Sequence, residues 1–216
     1  MSKVSAIQLN SGPNIKVNLY DVKTYIEQIS ETKTEIVVLP ENFALMPEND
    51  NDYIKFSENL DDGQIQNYIS DLARRYKLWI VAGTIPIKSP DSERVMASTI
   101  TYDDTGKRVS LYNKIHLFDV TLPKSNESYN ESKYFMPGET IEVIDTPIGR
   151  AGIACCYDLR FPELFRLQQD KKIEVIILPA SFTEQTGKVH WETLIKARAI
   201  ENLSYVVTSC QGGYHI

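Results

Sequence analysis

The chain reads as an α/β protein, and three observations carry that reading. Strand-like and helix-like segments alternate along most of its 216 residues, the pattern of strands covered by helices. Two runs, Ile36-Val37-Val38-Leu39 and Val175-Ile176-Ile177-Leu178, are apolar at every position, so both faces of each strand must be covered. The two runs also echo one another: Glu35 to Phe43 and Glu174 to Phe182 have the same apolar content and the same Leu-Pro exit. Two similar half-units follow, each a strand flanked by helices. Two sheets packed face to face with helices outside would bury such runs, and so would one doubly wound sheet; the pattern is compatible with both.

The elements follow in order. Residues 4–9 predict the first strand. Leu19, Val22, Ile26 and Ile29 then recur at helical spacing. The run 36–39 is a buried strand closed by Pro40. Ile65, Ile69, Leu72 and Tyr76 mark a second helix, and residues 79–82 a buried strand leading into Gly83. Residues 95–102 and 108–112 flank Asp103-Asp104-Thr105-Gly106, a hairpin turn. Residues 152–155 form the next strand, and Pro162 opens a helix to about residue 171 because proline suits the first helical position. Residues 175–178 are strand, the segment around Trp191, Leu194, Ile195 and Ala199 is helix, and residues 205–209 are the last strand.

Composition bounds the function. A chain with 42% hydrophobic residues can bury a substantial core, so residues 1–216 are expected to form a single domain. A formal charge of -6 with Lys and Arg scattered disfavours a nucleic-acid partner. The N-terminus is too interrupted by polar residues for a signal segment, and no run approaches membrane-spanning length. The expectation is a cytoplasmic protein without membrane contact. Of the three cysteines, Cys155 and Cys156 are neighbours that could bridge only with severe strain, and reduced thiols fit that compartment. His116, His190 and His215 show no metal-ligand spacing, so no metal site is expected, and nothing in the sequence calls for an organic cofactor.

Candidate chemistry lies just past strand ends: Glu41 after Leu39-Pro40, Lys114 after the strand 108–112, and Cys156 after Ala154. Polar groups there can converge on one rim of a sheet. Free cysteine is mostly thiol at neutral pH, so a base must take its proton or a cation must lower its pKa; Glu41 suits the first task and Lys114 the second. Taken singly, each also has an ordinary structural explanation, as a small buried thiol, a solvated turn residue and a surface ammonium.

Three segments together carry more. Leu39-Pro40-Glu41-Asn42-Phe43, Leu111 to Asp119, and Gly152-Ile153-Ala154-Cys155-Cys156-Tyr157-Asp158-Leu159-Arg160-Phe161-Pro162-Glu163 resemble the three signature blocks of the nitrilase superfamily of carbon-nitrogen hydrolases, in the family's order. The resemblance runs from Val4 to the end of the chain. It implies a four-layer α-β-β-α sandwich, Glu41 as general base, Lys114 as cationic stabiliser and Cys156 as nucleophile. Cys155 then holds a strand position in the core. Glu131 resembles the family's second active-site glutamate and would orient Lys114 and the substrate amine; the alternative is a loop charge. The backbone N–H near Tyr157 would help Lys114 hold the oxyanion. Arg160 is a candidate for gripping a substrate carboxylate through a bidentate fork, the alternative being a structural ion pair. His116 and His190 are read as supporting or packing residues.

Tyr-Asp after the cysteine resembles the amidase branches, whereas nitrilases proper carry Trp-Glu there. Residues 182–192 and 198–202 resemble deaminated-glutathione amidases and ω-amidases. The implied activity is hydrolysis of a small-molecule amide bearing a carboxylate, through a cysteine thioester, by a homodimer or higher homo-oligomer. Alternatives are an N-carbamoyl or N-acyl amino acid hydrolase and an inactive scaffold or binding protein. Two departures stand out: Ala97 replaces an asparagine common in the family, and family domains usually continue past Tyr214-His215-Ile216, so the sandwich is expected to lack its C-terminal part.

Overall fold

A computed structural model describes residues 2–121 and 128–215, leaving Ile216 outside the described residues. In chain order the elements are β1 (Val4–Ala6), α1 (Ile15–Ser30), β2 (Ile36–Val38), α2 (Asn51–Lys55), α3 (Gln64–Tyr76), β3 (Trp79–Lys88), β4 (Val95–Tyr102), β5 (Arg108–Asn113), β6 (Asp119–Thr121) and β7 (Ser128–Asn130). Then come β8 (Phe135–Met136), β9 (Glu142–Thr146), β10 (Gly149–Ile153), α4 (Pro162–Gln169), β11 (Val175–Ala180), α5 (Glu184–Thr186), α6 (Glu192–Asn202) and β12 (Tyr205–Cys210).

The strands make two principal sheets. One runs β1-β2-β3-β4-β5 with β8 beside β4; the other runs β12-β11-β10-β9. β2 lies between two parallel neighbours, β1 and β3. β11 lies between two parallel neighbours, β10 and β12. The echoed apolar runs are thus the middle strands of two corresponding three-strand groups, where burial on both faces is most complete.

Alternation along β2 divides its side chains between two layers, as the two-residue period of a strand requires. Val37 packs in one core with Leu19, Val22 and Ile26 of α1 and Ile65 and Ile69 of α3. Ile36 and Val38 pack in another with Ile153, Val175 and Ile177 of the second sheet. On β10, Gly152 lies under α4, where a Cβ would press on Gln168. Ala151 and Ile153 therefore face the opposite way, toward the first sheet, together with their cross-strand partners Val175 and Ile177. Leu164 and Phe165 bury α4 against the outer side, and the result is the α-β-β-α sandwich. Bonds between chain ends fasten the layers: Leu9 bridges Gln211 in parallel, and Ser209 Oγ donates to the carbonyl of Ile7.

Several boundaries differ from the sequence reading. β1 ends at Ala6, although Ile7 N–H still donates to Val38 O (3.0 Å) and Leu9 bridges Gln211. β3 continues past Gly83 to Lys88 with an irregularity between Ala82 and Ile85. Gly83 sits at that point because any Cβ would collide with the carbonyl of Pro40. β10 stops at Ile153, so Cys155 lies beyond the last paired residue although its backbone is extended. Pro179 lies inside β11, paired with Ser209, instead of ending the strand as Pro40 does.

Candidate active site

Glu41 follows β2 on a segment fixed at three points. Leu39 N–H donates to Val81 O (2.9 Å), Gln211 Nε2 donates to the Glu41 carbonyl (3.0 Å), and Asn42, in the left-handed region at φ 58°, donates its N–H to Thr84 Oγ1 (2.9 Å). Lys114 follows β5; its N–H donates to Ala97 O (3.0 Å) and its carbonyl accepts from Gly138 N–H (2.8 Å). The backbone carbonyl of Ala97 therefore takes part in positioning Lys114. The Lys114 side chain is 2% exposed and that of Glu41 6%. Lys114 Nζ donates to Glu41 Oε1 at 2.8 Å and to both oxygens of Glu131 at 2.9 Å. Glu131, in a single helical turn after β7, also accepts from Phe118 N–H (2.6 Å). Glu131 is thus bonded to the Lys114 ammonium and to the Phe118 backbone.

The sulfur pair sits on a sharp elbow. After Cys155 the chain makes a 3-10 turn over Cys156–Arg160, and Cys156 takes φ 44°, a conformation that costs a non-glycine residue about 1 kcal/mol or more. Asp158, fully buried, holds the elbow in place. Its Oδ2 accepts from Cys155 N–H (2.8 Å) and Tyr112 O–H (2.6 Å), while Oδ1 accepts from His116 N–H (3.1 Å) and lies 2.7 Å from His116 Nδ1. The His116 ring in turn stacks on Phe161 with centroids 3.7 Å apart.

Both thiols lie by the same carboxylate. Cys155 Sγ donates to Glu41 Oε1 at 3.4 Å, and Cys156 shares a cavity wall with Glu41 and Ser181. Only Cys156 opens into a cavity of about 480 Å³, whose wall also includes Glu41, Lys114 and Glu131. Burial, and next the Glu41 charge, push both thiols well above the ordinary cysteine range. Lys114 acts in the expected lowering direction but is outweighed, since two carboxylates already share its charge. Burial by itself works against the Lys114 ammonium, yet Glu131 and Glu41 hold its pKa well above the usual lysine value. The Glu131 carboxyl is raised by burial, with Lys114 opposing and Glu41 reinforcing the rise. The site thus stores a neutral thiol beside a buried base and a fixed cation.

The cavity mouth is aromatic and carries a cation. Tyr157 meets Phe118 edge-on (5.0 Å) and Phe161 (5.3 Å). The Arg160 guanidinium lies over Tyr157 and Phe182, 5.8 and 5.5 Å from the ring centroids, and its Nη1 is 3.2 Å from His190 Nδ1. No ion pair to Arg160 occurs among the described residues, so its charge faces the cavity that it lines. His190, read from sequence as packing, is its hydrogen-bond neighbour. Among the described residues, no group of three or more His, Cys, Asp and Glu side chains is arranged to hold a metal ion. Nor is any helix among them long and apolar enough to cross a membrane.

Sequence reasoning missed Asp158 and Tyr112 as the anchors of the elbow and the bond from Cys155 to Glu41. The first two lie within the blocks that carry the resemblance; the third has no sequence signal.

A thiol on a strained elbow, a carboxylate beside it and an ammonium fixed at the same cavity define a thiol-dependent hydrolase. The carbon-nitrogen hydrolase family model matches residues 3–215, and the chain belongs to that family, the nitrilase superfamily. It is 40% identical over 215 residues to the deaminated glutathione amidase of Yersinia enterocolitica, covering 99% of this chain and 74% of that one. It is 35% identical over 224 residues to the omega-amidase NIT3 of Saccharomyces cerevisiae, covering 99% and 76%. Its fold superposes on the crystal structure of the C. elegans NitFhit protein with a TM-score of 0.90 at 35% identity, over 100% of this chain and 53% of that one.

Proposed function

We propose that the protein is an amidase that hydrolyses the carbon-nitrogen bond of a small carboxylate-bearing amide, such as deaminated glutathione or an α-keto acid ω-amide, through a thioester on Cys156. The observation that carries this reading is that Cys156 alone of the two neighbouring thiols faces the cavity, whose wall also carries Glu41 and Lys114, the ammonium 2.8 Å from the carboxylate.

The steps follow from the chemistry of the groups. Glu41 takes the proton as the Cys156 sulfur attacks the amide carbon, so thiolate need never accumulate. Negative charge develops on the amide oxygen, and Lys114 with the backbone N–H near Tyr157 stabilises it; one such donor is worth about a hundredfold or more in rate. Glu41 returns its proton to the departing nitrogen, the carbon-nitrogen bond breaks, and ammonia leaves an acyl thioester. Water, deprotonated by Glu41, then attacks the thioester, releasing the acid and the free thiol. Glu131 fixes the Lys114 ammonium throughout. Arg160, free of a carboxylate partner among the described residues, is placed to receive the substrate's own carboxylate. The three free cysteines are in keeping with a reducing, cytoplasmic setting.

The test is an ammonia-release screen across deaminated glutathione, α-keto acid amides and carbamoyl amino acids, with intact-mass detection of the acyl-enzyme. Turnover should be confined to the first two classes and vanish in Cys156→Ala. Release from carbamoyl substrates alone, or a thioester on Cys155, would overturn the proposal.

A further inference from the structure

We propose that Tyr53 is a further catalytic residue: its hydroxyl holds the water that hydrolyses the acyl-enzyme, at the place beside Glu41 that the departing amine leaves. The inference rests on the reading of Cys156 as the acylated group and deepens it, giving the second half-reaction a residue that the first does not need.

Tyr53, in the short helix α2, is 8% exposed, and its ring is fixed by its neighbours. It packs with Leu45, Val95, Ala97 and Phe135, meeting Phe135 edge-on with centroids 4.8 Å apart. The hydroxyl is different. A buried tyrosine oxygen normally finds a protein partner, as Tyr112 does on Asp158 at 2.6 Å. That of Tyr53 has none among the described residues, and it is not sealed within the protein. The residue lines the cavity that Cys156, Glu41, Glu131 and Lys114 share. Burial, and next the charges of Glu41, Glu131 and Asp50, push the phenol well above the ordinary tyrosine range, against Lys114. It is therefore a neutral hydroxyl, able to donate and to accept, and of the charges around it Glu41 acts on it most strongly.

The reaction supplies the partner. The carboxylate that hands its proton to the departing nitrogen is the one that must take a proton from water, so amine and water occupy the same place in turn. The nitrogen is held there by its bond to the substrate, whereas the water is held by hydrogen bonds alone. Water donates one hydrogen to Glu41 and accepts the Tyr53 O–H on one lone pair. Its other lone pair forms the carbon-oxygen bond, the carbon-sulfur bond breaks, and Glu41 returns the proton to sulfur, leaving acid and thiol. Fixing the orientation of the attacking oxygen in this way lowers the barrier to deacylation.

The experiment is the hydrolysis of p-nitrophenyl acetate by the full chain, an activated ester whose use does not depend on which amide the enzyme takes. Acetylation of the thiol gives a burst of p-nitrophenolate, and water attack then sets the steady rate. Tyr53→Phe removes the oxygen and keeps the ring, so the variant should melt within about 2 °C of wild type. Its burst rate should stay within about twofold of wild type while its steady rate falls about five- to tenfold, the worth of one hydrogen bond. KM should fall in the same proportion, leaving kcat/KM unchanged, and intact mass should show more acetyl-enzyme at steady state. A burst slowed as much as the steady rate, a steady rate equal to wild type, or a melting point lower by more than about 2 °C would overturn the inference while leaving the thioester intact. No turnover in the wild type, turnover that persists in Cys156→Ala, or an acetyl group carried by another residue would instead remove Cys156 as the acylated group, and this inference with it.

Discussion

Replacing Lys114 with methionine keeps most of the side-chain volume and deletes the ammonium. Its Nζ donates hydrogen bonds to Glu41 Oε1 at 2.8 Å and to the Glu131 carboxylate, 2.9 Å from each oxygen. Their loss leaves two carboxylates facing one another, one on a side chain 6% exposed and the other on one 17% exposed. Breaking a buried pair by removing one partner costs about 3–5 kcal/mol. For a chain of this size each kcal/mol moves the melting temperature by about 2–4 °C, so Lys114→Met should melt about 6–20 °C below wild type. The pH dependence fixes the sign. Without the cation, the buried carboxylates bind a proton more readily folded than unfolded, so the variant should regain stability as pH falls from neutrality toward the ordinary carboxylate range. In the wild type, the raised Lys114 pKa places the ammonium's contribution below the usual lysine value, and it is lost only as pH rises through the folded one. Adding Glu131→Gln to Lys114→Met should recover about half the loss, because one buried charge then remains instead of two. Calorimetric melts at several pH values check each step. A melting point within about 1 °C of wild type, or a loss that neither acid nor Glu131→Gln relieves, would refute the reasoning.

Asp158→Asn must turn an amide N–H toward Cys155 N–H or His116 N–H, and should cost about 2–4 kcal/mol; it should also slow ammonia release about a hundredfold as the elbow loosens, and near-normal melting with normal turnover would contradict its anchoring role. Because burial and Glu41 keep the Cys156 thiol neutral, the ultraviolet difference spectrum between wild type and Cys156→Ala at neutral pH should show no thiolate band, and such a band would contradict the base-coupled attack. Arg160→Leu should raise KM for carboxylate-bearing amides with kcat little changed, and leave a neutral amide unaffected; a uniform fall in kcat would place Arg160 in the chemistry instead.

What could be read from the sequence follows the physics of each element. β2 and β11 were legible because strands flanked on both sides must be apolar at every position, and α1 and α3 because one apolar stripe repeats at helical spacing. β6, β7 and β9 were not, since their residues are exposed or only half buried and leave no alternation to detect. The meeting of Glu41, Lys114 and Cys156 is a property of tertiary placement, so spacing could nominate them only as residues after strand ends, and the resemblance supplied their grouping. Pro179 shows the converse: an identical Leu-Pro dipeptide ends one strand and continues another, because the partner strand β12 runs on beside it. Cys155 was recognised as buried, while its bond to Glu41 joins residues far apart in the chain.

The reacting groups come from opposite slabs of the sandwich: base and cation ride on the sheet of β2 and β5, the nucleophile on the sheet of β10. Their mutual distance is therefore governed by how the two slabs seat on Ile36, Val38, Ile153 and Ile177, residues remote from any substrate. Slight reshaping of that seam, for example Val38→Ile with Ile177→Val, would slide acid against sulfur and act as a vernier on turnover, detuning catalysis while the pocket lining and the overall architecture stay as they are.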